Sequence, residues 1–571
     1  MTLNAAVREA YGRWLEGVDE ADRGELSSLA LDEGALEDAF YRELAFGTAG
    51  MRGRLGLGPN RMNVYTVGKA TQGLADYLNA HFEHPTVAVC RDSRHGGEAF
   101  ARRVAEVLAA NGVRAFLFPR VEPTPALSFA TRHLGCSAGV NVTASHNPAD
   151  YNGYKAYGPD GCQIASRPAV EIQAAIDATD VFEDVKRMPW ERAVEEGMVS
   201  PIGEETLDAF CEAVLAQSAG VDCSGLSLVY TPLNGTGLEC VSRVLSERGV
   251  DDVHVVEEQA RPDGSFPTCP YPNPEVREAL ELGFRLCDEV HPDLLVANDP
   301  DADRVGVAVP HAGGYVQLTG NEVGVLLLDF LASRAVSGGA DMSREVALTT
   351  IVSTPMADAL ARGYGFELRR TLTGFKHLGG QVTMLSDAGR EGDFLFAFEE
   401  SYGYFAGTYA RDKDAVVTTM LVCELAAWWK GRGLDLYEAM ESLYERYGFW
   451  GSEVVSTSYE GSSGARRMED IMSSLRRDPP GELAGVSVER VVDYSAGSPL
   501  PIVNAPEGGP SQMLPPADVV ELDLAGGSRV LVRPSGTEPK IKAYVYAQAS
   551  EREGAESLAG SLAEAARSLL A

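Results

Sequence analysis

Three carboxylates spaced by two, Asp299, Asp301 and Asp303, follow the apolar run at 292–297, and Arg304 closes the group. In extended backbone that spacing turns all three to one side. Three hard anionic oxygens on one face suit Mg²⁺, which keeps further positions for water or phosphate. An EF-hand is excluded, because the sixth position from Asp299 is Arg304 rather than Gly and the twelfth is Pro310 rather than Glu. A solvated acidic turn is the bland alternative. Arg304 argues against it, since a guanidinium there both offsets the carboxylates and can hold a phosphate. A metal site is the better reading.

A hydroxyl stands in a comparable place. The run 136–142 is mostly apolar and empties into Thr143-Ala144-Ser145-His146-Asn147-Pro148. Asn147-Pro148 opposes helical continuation, so Ser145 is expected at the carboxyl end of a strand, where open α/β sheets place ligands. His146 follows, and Asn152-Gly153-Tyr154-Lys155 brings a cation back near the turn. A hydroxyl beside His146 and Lys155 can act as a nucleophile with proton-transfer partners. An ordinary Ser-His-Asn-Pro turn is the competing reading. A rival also exists at the acidic motif. Asp301-Ala302-Asp303-Arg304-Val305 fits the aspartyl phosphatase pattern, with Asp301 as nucleophile and Asp303 as acid/base. It leaves Ser145 and Asp299 without roles.

A third strand, at 393–398, leads into Glu399-Glu400-Ser401-Tyr402-Gly403. Carboxylate and hydroxyl side by side suit vicinal sugar hydroxyls, which need acceptor and donor together. The alternative is a helix start capped by Ser401. Arg411 and Lys413 follow and are available for an anion. Arg533, Ser535, Gly536, Thr537 and Lys540 combine a guanidinium, two hydroxyls and a glycine-exposed backbone, a plausible phosphate cradle. The spacing of a P-loop is absent. Arg52, in the glycine-rich stretch 46–53, adds another guanidinium that suits a phosphate or carboxylate.

The chain as a whole is acidic. Its 571 residues carry 49 Lys plus Arg against 83 Asp plus Glu, a net charge of −34. Such a surface repels nucleic acid and anionic membrane, so neither is an expected partner. An anionic substrate then needs a local basic cluster, and Arg52, Lys155, Arg304, Lys376, Arg411, Lys413 and Arg533 fall in or beside the motif stretches. Nine scattered cysteines without a Cys-x-x-Cys pair suggest reduced thiols and a cytoplasmic protein. No signal-peptide core and no membrane-length apolar run is found.

The elements that must position these residues alternate. Residues 4–45 read as amphipathic helices. Strands at 86–91 and 113–118, with helices near 68–81 and 96–111, precede the strand leading to Ser145. The rhythm restarts near 204, with strands at 226–230, 252–256 and 292–297, and again near 320, with strands at 345–352, 366–370 and 393–398. Alternation of this kind predicts α/β units with mixed or mostly parallel sheets. The last stretch differs, with strands near 486–493, 517–524 and 528–533, a Pro- and Gly-rich loop at 497–516, and a helix at 551–570. The expectation is three similarly built α/β domains plus a smaller C-terminal α+β domain, bounded at 1–203, 204–319, 320–455 and 456–571, around one central cleft. The loop 231–237 is expected to be structural.

The motifs 143–148, 299–304, 399–403 and 533–539 resemble, in order, the four signature loops of the α-D-phosphohexomutase family. The stretches 46–53 and Leu372-Thr373-Gly374-Phe375-Lys376 resemble its long phosphoglucomutase-like bacterial subgroup. Ala397-Phe398 departs from the usual Gly or Gly-Tyr and touches only loop backbone. The resemblance implies that Ser145 is carried as a phosphoserine and that Mg²⁺ bridges it to Asp299, Asp301 and Asp303. It implies interconversion of glucose 1-phosphate and glucose 6-phosphate through a 1,6-bisphosphate, with glucose 1,6-bisphosphate also an activator. Phosphomannomutase and phosphopentomutase are the alternatives within the family, and a hexose or pentose monophosphate is the partner. Arg52 and Arg304 would neutralise charge, while His146 and Lys155 are the candidates for proton transfer. Thr373, Gly374, Lys376, Glu399, Ser401 and Lys413 would meet the sugar phosphate, and the loop Arg533, Ser535, Gly536 and Thr537 would hold the phosphate that is not reacting. A monomer or homodimer is expected.

Overall fold

The uncharged, Pro-free run at 138–142 forms the strand Ala138–Val142, buried at every residue. In the sheet around it the order is Gly50–Arg54, Tyr151–Tyr157, Ala138–Val142, Thr86–Arg91, Arg114–Leu117, Val199–Pro201. The last four run parallel, whereas Tyr151–Tyr157 and Gly50–Arg54 add on antiparallel. The sheet is therefore mixed, and both flanking strands carry residues singled out above. Arg52 thus lies on a strand rather than in a glycine loop, and Lys155 pairs across to Asn141. Gly153 permits that pairing, because a Cβ there would overlap the Thr143 carbonyl.

The computed structural model describes residues 4–47, 50–459, 461–505, 512–535 and 540–571. They divide into two compact units. One comprises Met1–Gln317, Val382–Asp387 and Gly403–Ala427, the other Leu318–Gln381, Ala388–Tyr402 and Trp428–Ala571.

In the first unit, helices Val64–His81 and Gly97–Ala110 contribute Leu74, Leu78, Val104 and Leu108 to a core shared with Val87, Val89 and Val140. Each such side chain, fully buried, stabilises the fold by about 1.5–3 kcal/mol. Val64–His81 starts with a capping box between Asn63 and Thr66. The N-terminal helices Ala5–Gly17, Glu20–Leu29 and Glu33–Phe40 form a separate cluster around Trp14, which meets Phe40, Tyr65 and Phe182 edge-on. A second sheet follows in the order Gly314–Leu318, Val305–His311, Leu294–Asn298, Ser227–Thr231, Asp252–Val255. Its central strand Leu294–Asn298 is fully buried and runs parallel to Ser227–Thr231.

In the second unit, Val346–Thr350 lies between Glu367–Thr371 and Phe394–Phe398, parallel to both. The C-terminal part is an antiparallel sheet in the order Phe449–Ser458, Lys540–Ala549, Arg529–Pro534, Val520–Leu524, Val486–Asp493, Glu482–Leu483. Helices Gly461–Arg477 and Arg552–Leu570 bury Ile471, Met472, Leu475, Leu562 and Ala566 in the core it shares. Two long strands, Phe449–Ser458 and Lys540–Ala549, escaped the sequence reading. The expected loop at 497–516 contains a short antiparallel ribbon, Ser498–Leu500 with Gln512–Leu514.

Candidate active site

Past the end of Ala138–Val142 the chain turns sharply, and Ser145 takes a left-handed conformation with φ 52°. For a residue with a Cβ this costs about 1–3 kcal/mol and persists only where surroundings impose it. Here they do. The Ser145 N–H donates to Thr143 Oγ1 at 2.8 Å, and the Ser145 carbonyl accepts from Arg94 Nη2 at 2.5 Å. The side chain is buried, and its Oγ donates to Asp299 Oδ2 at 2.8 Å and lies 3.2 Å from His146 Nδ1. Two residues on, Asn147 Oδ1 accepts from the exposed Arg52 at 2.7 Å.

Asp299, Asp301 and Asp303 converge by a route other than extended backbone. Past strand Leu294–Asn298 the chain closes into a turn with Ala302 left-handed at φ 49°. The N–H groups of Asp303 and Arg304 both donate to Asp299 Oδ1, at 3.0 and 2.9 Å. Turn geometry therefore gathers what alternation along a strand was expected to align. The loop from Thr231 to Gly237 supports this turn. Thr236 N–H donates to the Pro300 carbonyl at 2.9 Å, and a Cβ on Gly235 would overlap Pro300.

The three carboxylates are fully buried, with ligand oxygens within 4.8 Å of one another. Lys155 Nζ lies 2.8 Å from Asp301 Oδ2 and 3.4 Å from Asp303 Oδ2, and Lys413 Nζ lies 3.2 Å from Asp303 Oδ2. Thr124 Oγ1 donates to Asp301 at 2.9 Å. Asp301 Oδ1 and Asp303 Oδ1 are buried with no hydrogen-bond partner. Burial, then the charges of Asp303 and Asp301, pushes the Asp299 carboxyl well above the usual range. Burial also opposes ionisation of Asp301, but Lys155, with Asp299 and Lys413, outweighs it and holds that carboxyl well below the usual range. Crowded carboxylates with two buried oxygens that accept no hydrogen bond fit a hard divalent cation, which relieves both the repulsion and the lost hydration.

Burial opposes the charge of Lys155, yet Asp301 and Asp303 prevail and raise its pKa. His146 goes the other way. Burial, then the Arg304 and Arg52 charges, takes its imidazole well below its usual range. At neutral pH the pair is therefore a charged ammonium and a neutral imidazole. Arg304 pairs with Glu275 at 2.5 Å, a residue the sequence reading did not single out. Arg94 and Asp92 were also missed; the signal available was Arg91-Asp92-Ser93-Arg94 at the end of a strand. Lys413, expected at the sugar, stands in the first unit against Asp303. Arg411, expected to meet an anion, is buried and donates to the Thr408 and Ala410 carbonyls.

In the second unit, Glu399, Glu400 and Ser401 occupy a turn after Phe394–Phe398, with Tyr402 left-handed at φ 64°. No helix starts there, so Ser401 is not a cap. Glu399 is buried, and Glu400 Oε2 accepts from Thr350 Oγ1 at 3.1 Å and Ser353 Oγ at 3.4 Å. Thr373 and Gly374, the latter at φ 110°, lead into helix Phe375–Asp387. Lys376 sits half-buried in its first turn with its pKa lowered by burial, and Thr373 Oγ1 is buried without a hydrogen-bond partner. Helix N-terminus, ammonium and hydroxyl together suit an anion. Arg533 is the penultimate residue of the strand Arg529–Pro534, and the Ser535 N–H donates to the Lys540 carbonyl at 2.7 Å. Gly536 and Thr537 lie outside the described residues.

Known proteins carry the same sequence pattern. Models described as phosphoglucomutase/phosphomannomutase α/β/α domains I, II and III match residues 43–182, 208–314 and 319–447, and the C-terminal domain model matches 491–565. A phosphoglucomutase of Staphylococcus epidermidis is 32% identical over 533 residues, covering 93% of this chain and 95% of that protein. One of Staphylococcus aureus is 35% identical over 513 residues, covering 89% and 90%. The solved Paramecium phosphoglucomutase pp63/parafusin, in its open form, shares the fold with a TM-score of 0.66 at 17% identity, covering 93% and 95%. A serine bonded into a buried acidic turn, four domain models in order and identity at this level over nearly the whole length lead to one conclusion: the chain belongs to the phosphoglucomutase/phosphomannomutase family.

Proposed function

We propose that this intramolecular phosphotransferase interconverts glucose 1-phosphate and glucose 6-phosphate, with Ser145 as phosphoryl carrier and a 1,6-bisphosphate as intermediate. The observation that carries the reading is the 2.8 Å hydrogen bond between Ser145 Oγ and Asp299 inside the buried carboxylate cluster. The family is magnesium-dependent, and Asp299, Asp301 and Asp303 would hold the ion. Mg²⁺ bound there supplies charge neutralisation for the phosphoryl group.

The free sugar hydroxyl attacks phosphorus on phosphorylated Ser145; the new P–O bond forms as the bond to Oγ breaks, and the hydroxyl proton leaves to a base. Neutral His146 is suited to accept it and charged Lys155 to donate one in the return direction. After the bisphosphate reverses its orientation, Ser145 Oγ takes the other phosphoryl group. Such transfer depends on in-line positioning and neutralised charge more than on covalent chemistry. Arg52 and Arg304 serve the second need. Glu399 and Ser401 meet the sugar hydroxyls, Thr373, Gly374 and Lys376 meet sugar or phosphate, and Arg533 with Ser535 binds the unreacting phosphate. Lys413 keeps Asp303 compensated. Among the described residues no helix is long and apolar enough to cross a membrane, and all nine cysteines are free and buried, which favours the cytoplasm.

The test is intact mass and phosphopeptide mapping after incubation with glucose 1,6-bisphosphate and Mg²⁺, with glucose 1-phosphate turnover followed alongside. A phosphate on Ser145 and the appearance of glucose 6-phosphate are expected, both absent in a folded Ser145→Ala variant. Label on Asp301, or release of free phosphate alone, overturns the reading in favour of an aspartyl phosphatase. A phosphoserine without glucose turnover redirects the substrate to mannose or pentose phosphates.

A further inference from the structure

We propose that the buried Asp92–Arg94 ion pair is the positioning device of the nucleophile, holding the backbone of Ser145 from both sides and so aiming its Oγ. The inference rests on the reading of Ser145 as phosphoryl carrier. Asp92 and Arg94 follow the strand Thr86–Arg91, and their side chains are 0% exposed, with Nε and Oδ2 3.3 Å apart. Desolvating two charges is costly, and a buried pair is weak grounds for added stability. Its hydrogen bonds account for it better.

Arg94 spends its guanidinium on carbonyls of one loop. Nη2 donates to Ser145 O at 2.5 Å and to Asn147 O, while Nη1 donates to Pro148 O at 2.7 Å and Tyr151 O at 3.0 Å. Asp92 works on the other side of the serine. Its Oδ2 accepts from Thr143 Oγ1 at 2.6 Å, and that same Oγ1 accepts the Ser145 N–H at 2.8 Å. Both backbone polar groups of the left-handed serine therefore lead to the same ion pair. The Phe266 ring, 5.0 Å from the guanidinium, covers it. Among the described residues the Arg94 guanidinium makes no hydrogen bond to Oγ or to the Asp299 turn, so its action on the reacting hydroxyl passes through the backbone. If the loop relaxed, the serine would leave its strained φ and Oγ would swing from the metal turn. Misplacement of a reacting atom by about 1 Å costs on the order of 10²-fold in rate.

Asp92→Asn, Arg94→Lys and Arg94→Ala separate this role from a generic one. In each folded variant kcat is expected to fall about 10²-fold with KM for glucose 1-phosphate within about threefold. Backbone amide exchange in the peptide covering 143–152 should quicken by at least about tenfold, with the rest of the chain unchanged. Guanidinium ion should restore part of kcat in Arg94→Ala and none in Asp92→Asn. A kcat within about threefold of the parent overturns the proposal, even with faster exchange. A raised KM at constant kcat makes Arg94 a substrate ligand and also overturns it. If all three variants fail to fold, the pair belongs to the core and the proposal falls. Turnover by the parent tests the mutase reading separately, since the exchange measurement needs no activity.

Discussion

The turn at Asp299–Arg304 and the turn at Glu399–Gly403 are built alike and equipped differently. Each follows a strand of mostly buried residues, Leu294–Asn298 in one unit and Phe394–Phe398 in the other, and each carries a left-handed non-glycine residue, Ala302 or Tyr402. Ser145 repeats the device a third time. What differs is the company. Beside Asp299 stand the carboxylates of Asp301 and Asp303, which Lys155 and Lys413 meet at ion-pair distances. Around Glu400 stand the hydroxyls of Thr350 and Ser353. Strained strand-end turns supply a rigid platform in both places, and side-chain choice then decides the chemistry. Carboxylates compensated by ammonium groups suit a transferring phosphoryl group, whereas carboxylate acceptors beside hydroxyl donors suit sugar hydroxyls.

The contrast can be broken at its charged end first. Asp301→Asn removes one carboxylate oxygen from the cluster and the partner of Lys155. Turnover should fall about 10³-fold, with the Mg²⁺ concentration for half-maximal activity up at least about tenfold. Measuring rate against Mg²⁺ checks both, and an unaltered Mg²⁺ requirement would dissociate Asp301 from the metal. The other end should answer differently. Glu399→Gln should cost about 10–100-fold in kcat/KM, as for a lost hydrogen bond to a charged group, with the Mg²⁺ requirement unmoved. A shift in Mg²⁺ dependence there would erase the distinction between the two turns.

The strands beneath these turns were legible because buried parallel strands read as largely apolar, uncharged runs; 138–142 and 294–298 do so apart from Asn141 and Asn298, and 394–398 does so throughout. The polar motifs at their ends were legible as clusters of residue types. The mechanism of convergence was not. Asp299, Asp301 and Asp303 alternate as strand residues would, and only Ala302 at positive φ with two N–H groups on Asp299 Oδ1 reveals a turn. Arg94 was invisible for a related reason, since its partners are carbonyls, which every residue has. Arg411 shows the converse, because a cation near a motif can also donate to carbonyls. The long strands Phe449–Ser458 and Lys540–Ala549 lie antiparallel against each other, and Phe449–Ser458 carries exposed and polar positions that dilute an apolar run.

The smallest expected effect sits within the Glu399–Gly403 turn, at Glu400. Burial, then the Glu399 charge, pushes the Glu400 carboxyl up to about 7, while Arg533 and the hydrogen bond from Thr350 pull the other way. Unfolded, this group titrates near 4.5. Between those two values the folded protein binds more protons than the unfolded one, so stability falls as pH rises through the window and levels off above it. Glu400→Gln keeps the shape and removes the titration. Its melting temperature relative to the parent should therefore be higher at pH 8 than at pH 4.5, with little change in the Mg²⁺ requirement. A difference between parent and variant that stays constant from pH 4 to pH 8 would mean that Glu400 is as well solvated in the fold as in the unfolded chain. The contrast between the two turns would then rest on the hydroxyls of Thr350 and Ser353 alone.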